Sequence, residues 1–132
     1  MYDIEDKYIT QPRNENDSQL IILWTLLGAI QEAILKLHLN AKRDYYCEFI
    51  NKYKEGFENL KVKNILDLLV KDNSIRNEDY IILEKINGNR NLIHFLNNDH
   101  IYPYDIYCQY VDALYKVLLL LYKQEKEYKK DN

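Results

Sequence analysis

The spacing of apolar positions divides the chain into five helical segments. The first, over residues 18–39, contains LIILWTLLGAIQEAILKLHL, with Asp17 or Ser18 as its N-cap. Its front half is apolar nearly all round, so burial on more than one side is expected. Trp24 belongs in a core or a dimer interface, and Gly28 leaves room for another helix to approach closely. After a link at 40–43, Asp44 caps a second helix reaching residue 58, with Tyr45, Tyr46, Phe49, Ile50, Tyr53 and Phe57 at helical spacing and a break near 56–60. A third helix covers 61–71 and turns Val62, Ile65, Leu66, Leu69 and Val70 inward. KDNSIRNED is a loop by composition, and Glu78 and Asp79 then sit in the first turn of a fourth helix over 78–96. NNDHIYP is the next loop. Pro103 opens a fifth helix over 103–128, with Ile106, Tyr110, Val111, Leu114, Val117, Leu118 and Leu121 as its core stripe.

This pattern predicts an all-α fold, an up-down bundle of about five helices in one domain over 18–128. Residues 1–17 form a flexible N-terminal arm and 129–132 a frayed tail, the end of the charged run KQEKEYKKDN. Three glycines and two prolines in 132 residues supply few turns, which favours long helices over many strands. The formal charge of −3 argues against a bulk nucleic-acid binder and leaves room for a local phosphate site. Thirteen tyrosines are available to pack in a core, stack on bases or line a dimer interface. Cys47 and Cys108 lack partners at zinc-ligand spacing and read as reduced, semi-buried fillers. The acidic N-terminus is no signal peptide, and LIILWTLLGAI and VLLLLY taken singly are too short to span a bilayer. A cytoplasmic protein without a membrane partner is therefore expected.

The stretch that concentrates chemistry is EKINGNRNLIHFL, residues 84–96. On a helix it sets Ile82, Ile86 and Ile93 on one arc and Asn87, Arg90, Asn91 and His94 on the neighbouring one. Arg90 and His94, four apart, stand one above the other. Gly88 within this helix costs about 1 kcal/mol against Ala, which a close approach of backbone or ligand, or a local kink, would explain. His38, near the end of the first helix, suits the helix dipole as a structural residue. His100, in a loop beside Asp99, is a minor candidate. Glu32 and Lys36 form an ordinary helix-surface ion pair. A Gly-rich phosphate loop, a nucleophile elbow, an HExxH motif and the E-x-x-H unit of di-metal bundles are all absent from the sequence, so neither a metal nor another cofactor is implied.

The run RNLIHF, Arg90 to Phe95, resembles the signature of the HEPN superfamily (higher eukaryotes and prokaryotes nucleotide-binding domains). The apolar first helix with its Gly-Ala-Ile-Gln-Glu and the ILDLLVKD before the motif helix fit that likeness, which covers residues 20–122. These domains are small helical bundles, usually dimers. Many are metal-independent ribonucleases of toxin–antitoxin, defence or RNA-processing systems. The family separates its Arg and His by four to six residues, whereas three separate Arg90 from His94. Counting back from His94 by the family spacing reaches Asn89, so either Arg90 serves from the adjacent helical position or catalysis has lapsed.

The resemblance implies attack of a ribose 2′-OH on the adjacent phosphate. His94 would be the general acid/base, because an imidazole titrates near neutrality. Arg90 would stabilise the charge growing on the phosphoryl oxygens. Asn87, Asn89 and Asn91 would orient phosphate or imidazole, with Glu84 as a further orienter. A homodimer would bring two such helices together across a two-fold axis, with RNA as substrate and an antitoxin-type protein as a further partner. Two other readings of the same residues stand beside this one: a binding-only helical dimerisation module, and a structural cluster in which Arg90 and His94 pair with neighbouring helices.

Overall fold

The structure of the chain, a computed structural model, describes residues 13–52, 60–92 and 103–131, with side chains at 19–52, 60–89 and 103–131. Among these residues there are five helices and no strand: α1 (Arg13–Ala41), α2 (Cys47–Asn51), α3 (Val62–Lys71), α4 (Asn77–Leu92) and α5 (Tyr104–Asp131). The fold is an all-α helical bundle. α1 packs on α4 and α5, α3 packs on α4, and α4 packs on α5.

Side-chain contacts fix the helix directions. Trp24, early in α1, meets Tyr107 and Tyr110 edge-on, with ring centroids 5.3 and 5.6 Å away. His38, late in α1, meets Glu125 late in α5. The two long helices therefore run parallel. Tyr80 on α4 reaches back to Asp67 on α3, so those two form an antiparallel hairpin. Gln124 donates to the Ser74 carbonyl, which places the start of α4 beside the end of α5.

The α3–α4 turn shows why the chain reverses there. Asn73 takes φ 65°, a left-handed conformation that Asn tolerates better than most side chains. The Ser74 N–H then donates to the Leu69 carbonyl and the Asn73 N–H to Val70, which satisfies carbonyls that the helix end leaves open. Asp79 starts α4 by accepting from the Arg76 backbone N–H and from its guanidinium Nε and Nη2. Burial pushes the Asp79 carboxyl up, but the bonds from Arg76 outweigh it and hold the group below its ordinary value.

The core lies between α1, α4 and α5, with α3 closing one side. Trp24, Leu27, Leu35, Leu39, Ile65, Leu66, Leu69, Leu83, Ile86 and Leu121 are among its buried members. Trp24 takes the core position expected of it, and Gly28 is buried.

Several sequence expectations are corrected. α1 begins at Arg13, so Asp17 and Ser18 lie inside the helix. The second helix is only Cys47–Asn51, capped at Tyr46 rather than Asp44, because residues 42–46 form turns. Residues 1–12 of the expected arm, Tyr53, Phe57 and the break near 56–59 lie outside the described residues. α5 continues to Asp131, so 129–131 of the expected frayed tail are helical, and upstream of them Gln124 and Glu125 reach partners elsewhere in the chain. Val111 and Leu118, assigned to the core stripe, are exposed. Cys47 and Cys108 are free but exposed, not semi-buried. A Cβ at Gly88 would meet nothing within 4 Å, so among the described residues no neighbouring element approaches it closely. The first helix buries one face only, since Ile22, Leu26, Ile30 and Leu37 are all more than half exposed. Finally, Gln19–Ala41 as a continuous helix is long and apolar enough by length and composition to cross a membrane, although LIILWTLLGAI read alone is not.

Candidate functional site

α4 carries the residues singled out by sequence, and the structure describes part of the set. Its buried side presents Asp79, Leu83 and Ile86 to the core, with Ile82 half-buried. Arg90 stands in the last turns of α4, one turn after Ile86, and its backbone is helical. The backbone of Asn91 is helical as well. Ile93, His94, Phe95, Leu96 and His100 lie outside the described residues.

Glu84 and Asn87 sit half-buried at the rim of the same helix. The Glu84 carboxylate accepts the Tyr80 hydroxyl at 2.8 Å, and the same hydroxyl lies 2.8 Å from Asp67 Oδ1. One phenolic proton is thus shared between two carboxylates, and bonding to Asp67 and then to Glu84 pushes the Tyr80 phenol well above its ordinary value. Glu84 thereby has a partner on its own helix. Asn89 is buried, and its amide Nδ2 donates to the Lys85 carbonyl at 2.9 Å. Within the described side chains, then, Glu84 and Asn87 share a rim, whereas Asn89 turns onto its own helix.

The structure also shows a buried polar group of which sequence reasoning named only His38, as a structural residue. Gln31 and His38, two turns apart on α1, are fully buried. Gln31 Nε2 donates to the Leu83 carbonyl across the core at 3.0 Å. His38 Nδ1 lies 2.7 Å from Glu125 Oε2. Burial pushes the His38 imidazole below its ordinary value, and this outweighs the upward pull of Glu125. A neutral ring that donates from Nδ1 to Glu125 fits the geometry, because Nε2 is buried without a protein partner and a proton there would have no acceptor. The ring therefore joins α1 to α5. Beside it the Tyr46 hydroxyl donates to Asp72 Oδ2 at 2.7 Å and lies 3.2 Å from Ser74 Oγ, which ties the end of α1 to the α3–α4 turn. The wheel signal was present: Gln31 and His38 share an arc with Trp24, Leu27 and Leu35, so polar side chains stand at core positions.

In the groove between the α3–α4 turn and α5, Arg76 is paired with Asp79 and Lys116 with Asp112. The expected Glu32–Lys36 ion pair is present at 2.7 Å. Among the described residues no group of three or more His, Cys, Asp or Glu is arranged to hold a metal ion. In comparisons with known proteins, no family model, no curated protein and no solved structure matches the chain.

Proposed function

We propose that the chain is a HEPN-like nucleic-acid-processing protein, a metal-independent endoribonuclease of a toxin or defence system, acting as a cytoplasmic homodimer. The observation that carries this reading is the position of the motif. α4 touches α1, α3 and α5, and Arg90 and Asn91 stand in its last turns, immediately before His94. A rigid central helix is a good mount for residues that must hold a phosphate in one geometry. In this reading a ribose 2′-OH attacks its own 3′-phosphate, and a 2′,3′-cyclic phosphate forms as the 5′-oxygen leaves. His94 moves the proton at one of these oxygens, and Arg90 neutralises the phosphoryl charge. Asn87 and Glu84 at the rim, together with Asn91, order the phosphate and the imidazole. Asn89, buried on its own helix, contributes from beneath.

The test is cleavage of a mixed single-stranded RNA in EDTA by the wild type, Arg90→Ala and His94→Ala, each checked for helicity. Loss of cleavage in both variants, with cyclic phosphate ends from the wild type, is the expected result. A folded wild type that leaves the RNA intact would overturn the catalytic reading.

A second reading, a non-catalytic helical dimerisation or partner-binding module, is favoured by a different observation. The outer face of α1 and one flank of α5 are apolar and exposed, and a chain of this size rarely leaves two such faces open without a partner. An antitoxin-type protein is one candidate for that role.

A further inference from the structure

The end of α5 is held to the bundle differently from the rest of the helix. Leu121 is its last fully buried side chain, and from Tyr122 to Asp131 every side chain is exposed or half-buried. The contacts that tie this end down are polar. Gln124 donates to the Ser74 carbonyl at 2.8 Å, and Glu125 Oε2 lies 2.7 Å from His38 Nδ1. The Tyr128 ring centroid lies 5.6 Å from the Lys42 ammonium, which also stands 4.5 Å from Tyr45 and 5.4 Å from Tyr46. A short helical end that buries no side chain is marginal by itself, so its order depends on these ties.

One of the ties contains a group that titrates near neutrality, the fully buried imidazole of His38. In the closed chain the ring is neutral and donates from Nδ1 to Glu125. Nε2 is buried as well and has no acceptor among the described residues. A proton there is an unpaired buried donor on a charged ring. Glu125 on α5 and Asp72 in the α3–α4 turn attract that proton, and the Lys42 ammonium repels it. The Tyr46 ring, its centroid 6.0 Å away, turns its hydroxyl to Asp72 and Ser74. Burial acts most strongly, against the charge, and outweighs the carboxylates. Water removes the conflict by solvating Nε2. Glu125 is partly exposed whereas Tyr46 is buried, so water reaches the ring most directly by displacing the α5 end.

We infer that residues 122–131 of α5 form an acid-released latch: uptake of a proton at His38 Nε2 frees them from α1 while the rest of the bundle stays closed. With the latch open, the ring meets water and binds a proton with its ordinary affinity. The closed ring resists the same proton, so the open form holds more protons and acid shifts the balance toward it. One proton gives at most about a tenfold change in the opening equilibrium per pH unit, beginning below about 6.5. Gln124 leaves the Ser74 carbonyl in the same step, which also cuts this bond between α5 and the α3–α4 turn. The latch requires neither RNA cleavage nor a dimer, so it goes beyond the proposed function and stands or falls separately.

Hydrogen exchange of the full chain, read by mass spectrometry between pH 7.5 and 5, is the test. His38→Asn keeps a donor near Glu125 and does not titrate. Comparing it with the wild type at each pH cancels the intrinsic pH dependence of exchange. On acidification, exchange within 122–131 should rise in the wild type relative to the variant, by up to about tenfold per pH unit. Peptides within 24–35 and 62–71 should keep their protection. The emission of Trp24, the only tryptophan, reports on the opposite end of α1 and should not shift. Glu125→Gln is the second variant. It keeps an acceptor for Nδ1 and removes the titration of the carboxylate, so the acid response of 122–131 should persist in it. Loss of the response in Glu125→Gln would assign the titration to the carboxylate and overturn the inference. Exchange within 122–131 that falls with acid would mean that the charged ring grips Glu125 more tightly, and exchange that stays level would mean that no proton is linked to this end. Protection lost together in all peptides, with a red shift of Trp24, would mean that the whole bundle opens. Each of these three results would equally overturn it.

Discussion

The two apolar sides of α5 differ in what covers them. On the inner side Leu114, Val117 and Leu121 are buried against the bundle, and the same arc ends in polar groups, Gln124 and Glu125, that have partners in the chain. The flank through Tyr115 and Leu118 is as apolar and has no such cover. α1 repeats the contrast, with Trp24, Leu27 and Leu35 inside and Ile22, Leu26 and Ile30 outside. Apolar character alone therefore does not tell a core face from an exposed one here. The difference lies in the polar residues set among the apolar ones. The inner faces hold Gln31, His38 and Glu125, each bonded across to another helix. These bonds fix register, because a slip along the helix would leave a buried polar group unpaired.

The largest expected effect breaks this contrast on α1. Trp24→Ala removes a fully buried ring that meets two tyrosines edge-on and should cost about 3–5 kcal/mol in urea unfolding. Leu26→Ala, half a turn further along the same helix and 53% exposed, should change the stability of the single chain by no more than about 0.5 kcal/mol. Comparable losses from the two would show that the outer face is covered within the chain itself.

The contrast also explains what the sequence made legible. Helix existence, the inward face of α3 and the core placement of Trp24 all follow from apolar period and need no tertiary knowledge. Boundaries were read less well, for local reasons. Residues 42–46 turn instead of extending a helix from Asp44, and α5 runs three residues past the expected 128, to Asp131. Val111 and Leu118 fell into the core stripe because a wide apolar arc on a wheel looks the same whether one surface or two will cover it. Of the candidate stretch, the helical backbone through Asn87, Arg90 and Asn91 was legible from spacing. That Asn89 would bond to its own backbone and Glu84 to Tyr80 depended on side-chain conformations that spacing does not encode.

A smaller effect sharpens the role of the inner polar groups. The His38 imidazole is held below its ordinary value of 6.5 in the folded chain, chiefly by burial. Between the folded and unfolded values the unfolded state binds more protons, so stability falls as pH drops below about 6.5 and levels off beneath the folded value. The slope from one such proton is at most about 1.4 kcal/mol per pH unit. His38→Asn keeps a donor near Glu125 and does not titrate. The difference in unfolding free energy between wild type and variant should therefore shrink on acidification, and a difference constant from pH 7.5 to 5 would remove His38 as its source. Tyr46→Phe, which strips the hydroxyl from Asp72 and Ser74, should cost about 1–2 kcal/mol with little pH dependence over that range.

The smallest effect concerns the outer side of α4, where Gly88 is exposed and a Cβ would meet nothing within 4 Å. Glycine in a helix interior loses more backbone entropy on folding than alanine does, and its φ here is not in the left-handed region that would favour it. Gly88→Ala should therefore stabilise the single chain by about 0.5–1 kcal/mol, read as a higher urea midpoint at unchanged slope. The same variant then reports on what stands outside α4. If RNA cleavage and dimer mass are both unchanged, that side of the helix is open in the working protein as it is in the single chain. If stability rises while cleavage falls, the methyl group obstructs a substrate that approaches α4 within two residues of Arg90. A lower midpoint would instead show that the glycine is needed by the helix backbone itself, which would revive a kink as the reason for its presence.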